Sequence, residues 1–87
     1  MKVLLVARVS ELRNIWARAL GRLGAEVVFV LSQSDAICEL INRHFDVIVT
    51  DLVLDDGSAF AIWDFENYRR PDVQIFFVTN TTFFLMD

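Results

Sequence analysis

The chain has 87 residues, 55% of them hydrophobic, and a formal net charge of -4, with a mean hydropathy of +0.45 and a pI near 4.7. Chains this short form one domain, here 1–87, and the acidic balance excludes a nucleic-acid backbone or an anionic membrane as the main partner, because neither attracts negative charge. Cys38 is the only cysteine, which excludes an intrachain disulfide and a thiolate metal cluster and makes a reducing cytoplasm the expected compartment.

Met1 to Ala7 mimics the start of a signal peptide, but Arg8 interrupts the apolar run too early. No stretch reaches the roughly 18 apolar residues of a membrane helix. Val3 to Ala7 instead has the pattern of a strand buried on both faces. Ser10 offers an N-cap, and Leu12, Ile15, Trp16, Ala19, Leu20 and Leu23 follow at three- and four-residue spacings. They form one face of a helix that Gly24 ends, with Arg13, Arg18 and Arg22 on the wetter side. Ala25 to Leu31 is a second buried strand. Ser32-Gln33-Ser34-Asp35 has the form of a capping box, in which hydroxyl and carboxylate satisfy orphan amides reciprocally. Ala36, Ile37, Leu40 and Ile41 then stripe a second helix that ends near His44.

Phe45 to Thr50 is the third strand, and it runs out through Asp51 into Leu52-Val53-Leu54-Asp55-Asp56-Gly57, where the glycine gives turn freedom. Phe60, Ile62, Trp63 and Phe65 predict a third helix that stops before Pro71. Val73 to Val78 is the fourth strand, Thr79 to Thr82 a polar loop, and Phe83 to Asp87 the terminal segment.

Strand and helix alternate as β-α-β-α-β-α-β, the pattern of an α/β fold with a parallel sheet. Right-handed crossovers put helices on both faces and bring Ala7, Arg8, Asp51 and Thr79 to one sheet edge. Ligands of open α/β sheets bind at that edge. Asp51 is therefore the leading candidate, against the alternative that it is a solvated loop residue. His44 has no second ligand at metal spacing, and Gly21, Gly24 and Gly57 form no G-x-G-x-x-G phosphate loop. Trp16 and Trp63 read as core residues, and Cys38 as a buried or half-buried small residue.

Phe45 to Leu54 followed by Asp55-Asp56-Gly57, Ser34-Asp35-Ala36, and Phe76-Phe77-Val78-Thr79, in this order, resemble the receiver domain of two-component response regulators. The resemblance covers the whole chain. It implies a flavodoxin-like, CheY-like doubly wound sheet of order 2-1-3-4, with the family's fifth strand and its flanking helices absent from this chain. It further implies Asp51 as phosphoacceptor, Thr79 as switch hydroxyl, and magnesium held by Asp51 and the main chain of Val53. Carboxylate attack on phosphorus needs charge neutralisation. The family supplies it with two acids after the first strand and a late lysine, whereas this chain has Ala7 and Arg8 there and no lysine beyond Lys2.

The expectation is a degenerate receiver: no enzyme, no required cofactor, and a bacterial protein-interaction module that meets a histidine kinase or another signalling protein. The alternative is a working receiver that takes a phosphoryl group at Asp51 with Mg2+. A small flavodoxin-like cofactor binder ranks last, for want of a phosphate loop. Arg8 is expected to pair with Asp51, or else to bend to solvent. Asp55 or Asp56 either compensates as a metal ligand or is a solvated turn acid near a helix N-terminus. The edge of the fourth strand, Gln74 to Val78, is expected to be covered by homodimer pairing or strand exchange, or else by a downstream segment, the alternative being that Phe83 to Met86 packs back onto its own core.

Overall fold

The computed structural model describes the main chain of residues 1–8, 10–54, 56–79 and 82–86, with their side chains except at 10–12, 53, 79 and 82–86. In chain order the elements are β1 (Lys2–Val6), α1 (Ser10–Arg22), β2 (Glu26–Val30), α2 (Gln33–Asn42), β3 (Val47–Asp51), the short β4 (Val53–Leu54) and β5 (Gly57–Ser58), α3 (Ala59–Arg69), β6 (Gln74–Thr79) and β7 (Thr82–Met86). The main sheet has the order β2-β1-β3-β6-β7. Its first four strands are parallel, so the expected 2-1-3-4 arrangement is present with β6 as the fourth strand.

One expectation is corrected at the far edge. The side of β6 expected to lie open for a second chain is occupied by β7, which returns antiparallel with Thr79 opposite Thr82 and Ile75 opposite Met86. Thr82, read as loop, is the first residue of this strand. The physical reason is backbone accounting: an apolar segment with no glycine, proline or charge satisfies the amides and carbonyls that an open β6 leaves unpaired.

The two sheet faces carry separate cores. Leu4, Val6, Ile48, Ile75 and Phe77 pack with Ala36 and Leu40 of α2 and with Ala59 and Ile62 of α3. Val3, Leu5, Val49 and Val78 form the opposite core, against which Trp16 and Leu20 of α1 are packed. Strands buried on both faces explain why β1 is an unbroken apolar run.

The helix ends follow local chemistry. Gly24 adopts φ 78°, and the N–H groups of Gly24 and Ala25 donate to the carbonyls of Gly21 and Leu20 at 3.0 and 3.1 Å, the paired bonds of a Schellman C-terminus. Ser10 is the first helical residue of α1, not the residue ahead of it, within the usual spread of helix boundaries. Ser32 Oγ accepts from the Asp35 N–H at 3.1 Å, so the hydroxyl half of the expected capping box is formed.

Helix facing is where the pattern misleads. Ile15 and Leu23, expected inward, are exposed, as is Phe60 of α3. Helix α3 is apolar nearly all round, so periodicity does not choose its face. The residues it buries are Ala59, Ile62 and Glu66. Cys38, expected at least half-buried, is exposed on α2. Trp16 and Trp63 are partly buried against the two cores, as expected. Among the described residues, no helix is long and apolar enough to cross a membrane.

Candidate functional site

Parallel register brings the strand ends to one edge. Val6 lies opposite Thr50, and Asp51 opposite Val78. Ala7 is held beyond β1 by its N–H donating to the Val30 carbonyl at 3.1 Å. Asp51 closes β3 half-buried, directly after the fully buried Thr50. On the α1 side a small recess is lined by Leu5, Val6, Ala7, Trp16, Val49, Thr50, Asp51 and Val78. It is apolar apart from Thr50 and Asp51.

Arg8 and Asp51 are brought together, through the main chain. The Arg8 N–H donates to Asp51 Oδ2 at 3.0 Å. Arg8 itself is exposed. Thr79 ends β6, one residue beyond the Val78 that pairs with Asp51; its hydroxyl lies outside the described atoms. Val53 sits in β4 opposite Ser58 of β5. Lys2 is far from this edge, its N–H donating to Asp46 Oδ2 at the opposite end of the sheet at 2.8 Å. His44 lies beyond the end of α2 and faces Arg70, with Nε2 and Nη2 2.9 Å apart.

Asp56 has a defined structural role. Its Oδ1 accepts from the Gln33 N–H at 2.9 Å, and its Oδ2 from the Ser34 N–H at 3.0 Å and the Ser34 hydroxyl at 2.7 Å. The Ser34 hydroxyl, followed by the two backbone N–H groups, holds the Asp56 carboxyl below its usual range. Asp56 is thus a carboxylate seated on the first turn of α2, in keeping with the turn-acid reading. Asp55 lies outside the described residues. Sequence reasoning found both ends of this contact but not the contact, because 22 and 23 residues separate them.

Magnesium takes oxygen ligands in near-octahedral geometry. Beside Asp51 the end of β1 offers the Ala7 methyl group and the Arg8 N–H, a donor already directed at Oδ2. Asp56 is committed to α2. Among the described residues, no group of three or more histidine, cysteine, aspartate or glutamate side chains could hold a metal ion. Among the described residues, this donor set lacks the acid pair of the magnesium site that the resemblance implies.

A second feature was missed outright. Glu66 is fully buried, and neither carboxylate oxygen is hydrogen-bonded. Arg69 Nη1 stands 3.5 Å from its Oε1. Burial raises the Glu66 carboxyl above its usual range, against the opposing charges of Arg69, Arg70 and His44.

Comparison with known structures addresses the fold. A response regulator protein from Burkholderia pseudomallei, with a phosphorylated aspartic acid, calcium ion and citrate, matches with a TM-score of 0.82 and 22% identity, over 93% of this chain and 48% of that one. The non-phosphorylated HemR receiver domain from Leptospira biflexa matches with a TM-score of 0.71 and 25% identity, over 87% of this chain and 61% of that one. The chain therefore spans less than two thirds of either structure. No protein-family model and no curated protein matches it. Four parallel strands in the order 2-1-3-4, helices on both faces and a carboxylate ending the third strand are the receiver-domain fold of response regulators, and that is the fold of this chain.

Proposed function

We propose that this chain is a receiver-like module of two-component signalling that acts mainly through contacts with other signalling proteins, independently of magnesium-assisted phosphotransfer. The observation that carries this reading is the end of β1, where Ala7 and the Arg8 N–H stand beside Asp51 in place of an acid pair. A phosphoryl group and a carboxylate repel each other, so transfer needs a cation placed between them, and the described residues offer it no second carboxylate there. The module is proposed to be non-enzymatic and to work in a bacterial cytoplasm. Its partners are proposed to be a histidine kinase or another signalling protein. Self-association belongs to the same reading, through the outer edge of β7 and not through β6, since Thr82 to Met86 lacks the charges and prolines that blunt sheet edges.

The second reading, a receiver that accepts a phosphoryl group at Asp51 with Thr79 as its switch hydroxyl, is favoured by the half-buried Asp51 at the carboxyl edge of the sheet. Trp16 lines the same recess as Asp51, so its fluorescence reports on the site. Titrating magnesium with and without beryllofluoride is expected to give no saturable change at millimolar metal. A saturable response that Asp51→Asn abolishes establishes the second reading instead.

A further inference from the structure

We propose that Asp56 is the positioning residue of the Asp51 site: its carboxylate ties the loop that follows Asp51 to the first turn of α2, so that a change at Asp51 is carried to the exposed face of that helix. The inference rests on the reading of Asp51 as the point where the module receives its signal.

The loop is held at its base and at its tip. At the base, Leu52 donates to the Val78 carbonyl at 3.1 Å and accepts from the Ala59 N–H at 3.1 Å, so the residue after Asp51 is bonded on both sides. Between base and tip, β4 and β5 pair antiparallel, which makes the loop a small hairpin in its own right. At the tip, three donors of Gln33 and Ser34 converge on the Asp56 carboxylate. A return bond runs from the Ser58 N–H to Gln33 Oε1 at 3.1 Å. The approach is close enough that a Cβ on Gly57 meets Gln33 Oε1, so a side chain at 57 displaces Gln33 from its bond to Ser58 although the backbone there is not left-handed.

Ser32 and Asp56 share the N-terminus of α2: Ser32 serves the Asp35 N–H through its hydroxyl, and Asp56 serves the Gln33 and Ser34 N–H groups, which have no partner within the helix. What Asp56 adds is a rigid link between two elements far apart in sequence, made of charge-assisted hydrogen bonds, the stronger kind. A shift of Asp51 moves Leu52, the hairpin moves with it, and the link passes the displacement to α2. Ser34, Asp35, Cys38 and Ile41 are exposed on that helix and present the displacement to a partner.

The test uses the full chain labelled with 15N, in native form and as Asp51→Asn, Asp56→Ala, Asp56→Asn and Ser34→Ala. Asp51→Asn is expected to shift the amide signals of Gln33 and Ser34. In the Asp56→Ala background that response is expected to vanish, and exchange of the two amides to speed up about tenfold or more. Asp56→Asn, which keeps one acceptor oxygen, restores part of both effects, and Ser34→Ala, which keeps both amide bonds, preserves the response. These two variants decide the question if Asp56→Ala does not fold. The proposal is overturned if Asp51→Asn leaves Gln33 and Ser34 unmoved, or if they respond equally without the Asp56 carboxylate. Beryllofluoride with magnesium, added in parallel, tests the chemistry of Asp51 alone, so failure of the phosphoacceptor reading is distinguishable from failure of the link.

Discussion

Glu66 is the residue whose replacement gives the sharpest test of the energetics, because α3 turns it into the core while Phe60 and Tyr68 of the same helix stay exposed. Taking a carboxylate out of water costs several kcal/mol even after relaxation. Arg69 at 3.5 Å returns about 4–5 kcal/mol at an effective dielectric constant of ~20, and less once its own exposure is counted. The two roughly cancel, which leaves the unbonded Glu66 oxygens as the net cost. Methionine matches the length of the side chain without the charge. Arg69 is not stranded by the change, since its Nη1 donates to the Leu40 carbonyl at 3.0 Å and its guanidinium lies 4.9 Å from the centre of the Phe65 ring. Glu66→Met is therefore expected to stabilise the domain by about 1–3 kcal/mol at neutral pH. Each kcal/mol raises the melting temperature of a domain this size by about 4–8 °C. Urea unfolding followed by tryptophan fluorescence measures it. A variant less stable than the native chain at neutral pH refutes the reasoning and means that the Glu66 pair contributes more than its desolvation costs.

Three further substitutions probe the site and its supports. Arg8→Ala keeps the main-chain N–H that serves Asp51 and removes a side chain that is exposed, where even an ion pair contributes under about 1 kcal/mol, so unfolding measurements should show a loss no larger than that; a larger loss assigns more of the stabilisation to the guanidinium. Ser32→Ala removes the hydroxyl that accepts from Asp35 and should cost about 1 kcal/mol by the same measurement. Gly57→Ala pushes aside the Gln33 side chain and breaks its bond to Ser58, for a loss of about 1 kcal/mol. In a Gln33→Ala background that loss should largely disappear, and strict additivity of the two changes counts against the collision.

The strands and their order were legible because Val3 to Ala7 and Val47 to Val49 are apolar and β-branched or aliphatic runs of the kind a sheet covered on both faces demands. Asp51 was legible for the same reason, as the first charge after its strand, and Arg8 as the residue that shares its edge. What periodicity left open was orientation. A helix with Phe60, Ile62, Trp63, Phe65 and Tyr68 spread around it has no single apolar stripe, so the inward turn of Glu66 leaves no trace in the pattern. Strand β7 was hidden by Thr79 to Thr82, four polar residues that read as a loop although two of them end the paired strands. The Asp56 link was hidden by distance along the chain, since nothing local to Asp56-Gly57 marks Gln33 and Ser34 as its partners.

Asp56 and Glu66 are acids with opposite environments, and together they set how stability responds to pH. Hydrogen bonds lower the Asp56 carboxyl below its ordinary 3.8, so the folded state holds its proton less tightly than the unfolded chain does. Its contribution is present above the ordinary value and is lost as pH falls through the lowered one. Burial raises Glu66 above its ordinary 4.5, so between that value and the raised one the folded state binds more protons than the unfolded. There stability falls as pH rises. On acidification through the raised Glu66 value towards the ordinary carboxylate range, the native domain should therefore grow more stable, then lose stability below that range as Asp56 takes up its proton. Glu66→Met should flatten the first limb and leave the second, whereas Asp56→Asn should flatten the second and leave the first. Unfolding free energies measured from about pH 3 to pH 8 separate the two limbs, and a native profile that declines monotonically with acid shows that burial of Glu66 does not govern the neutral range.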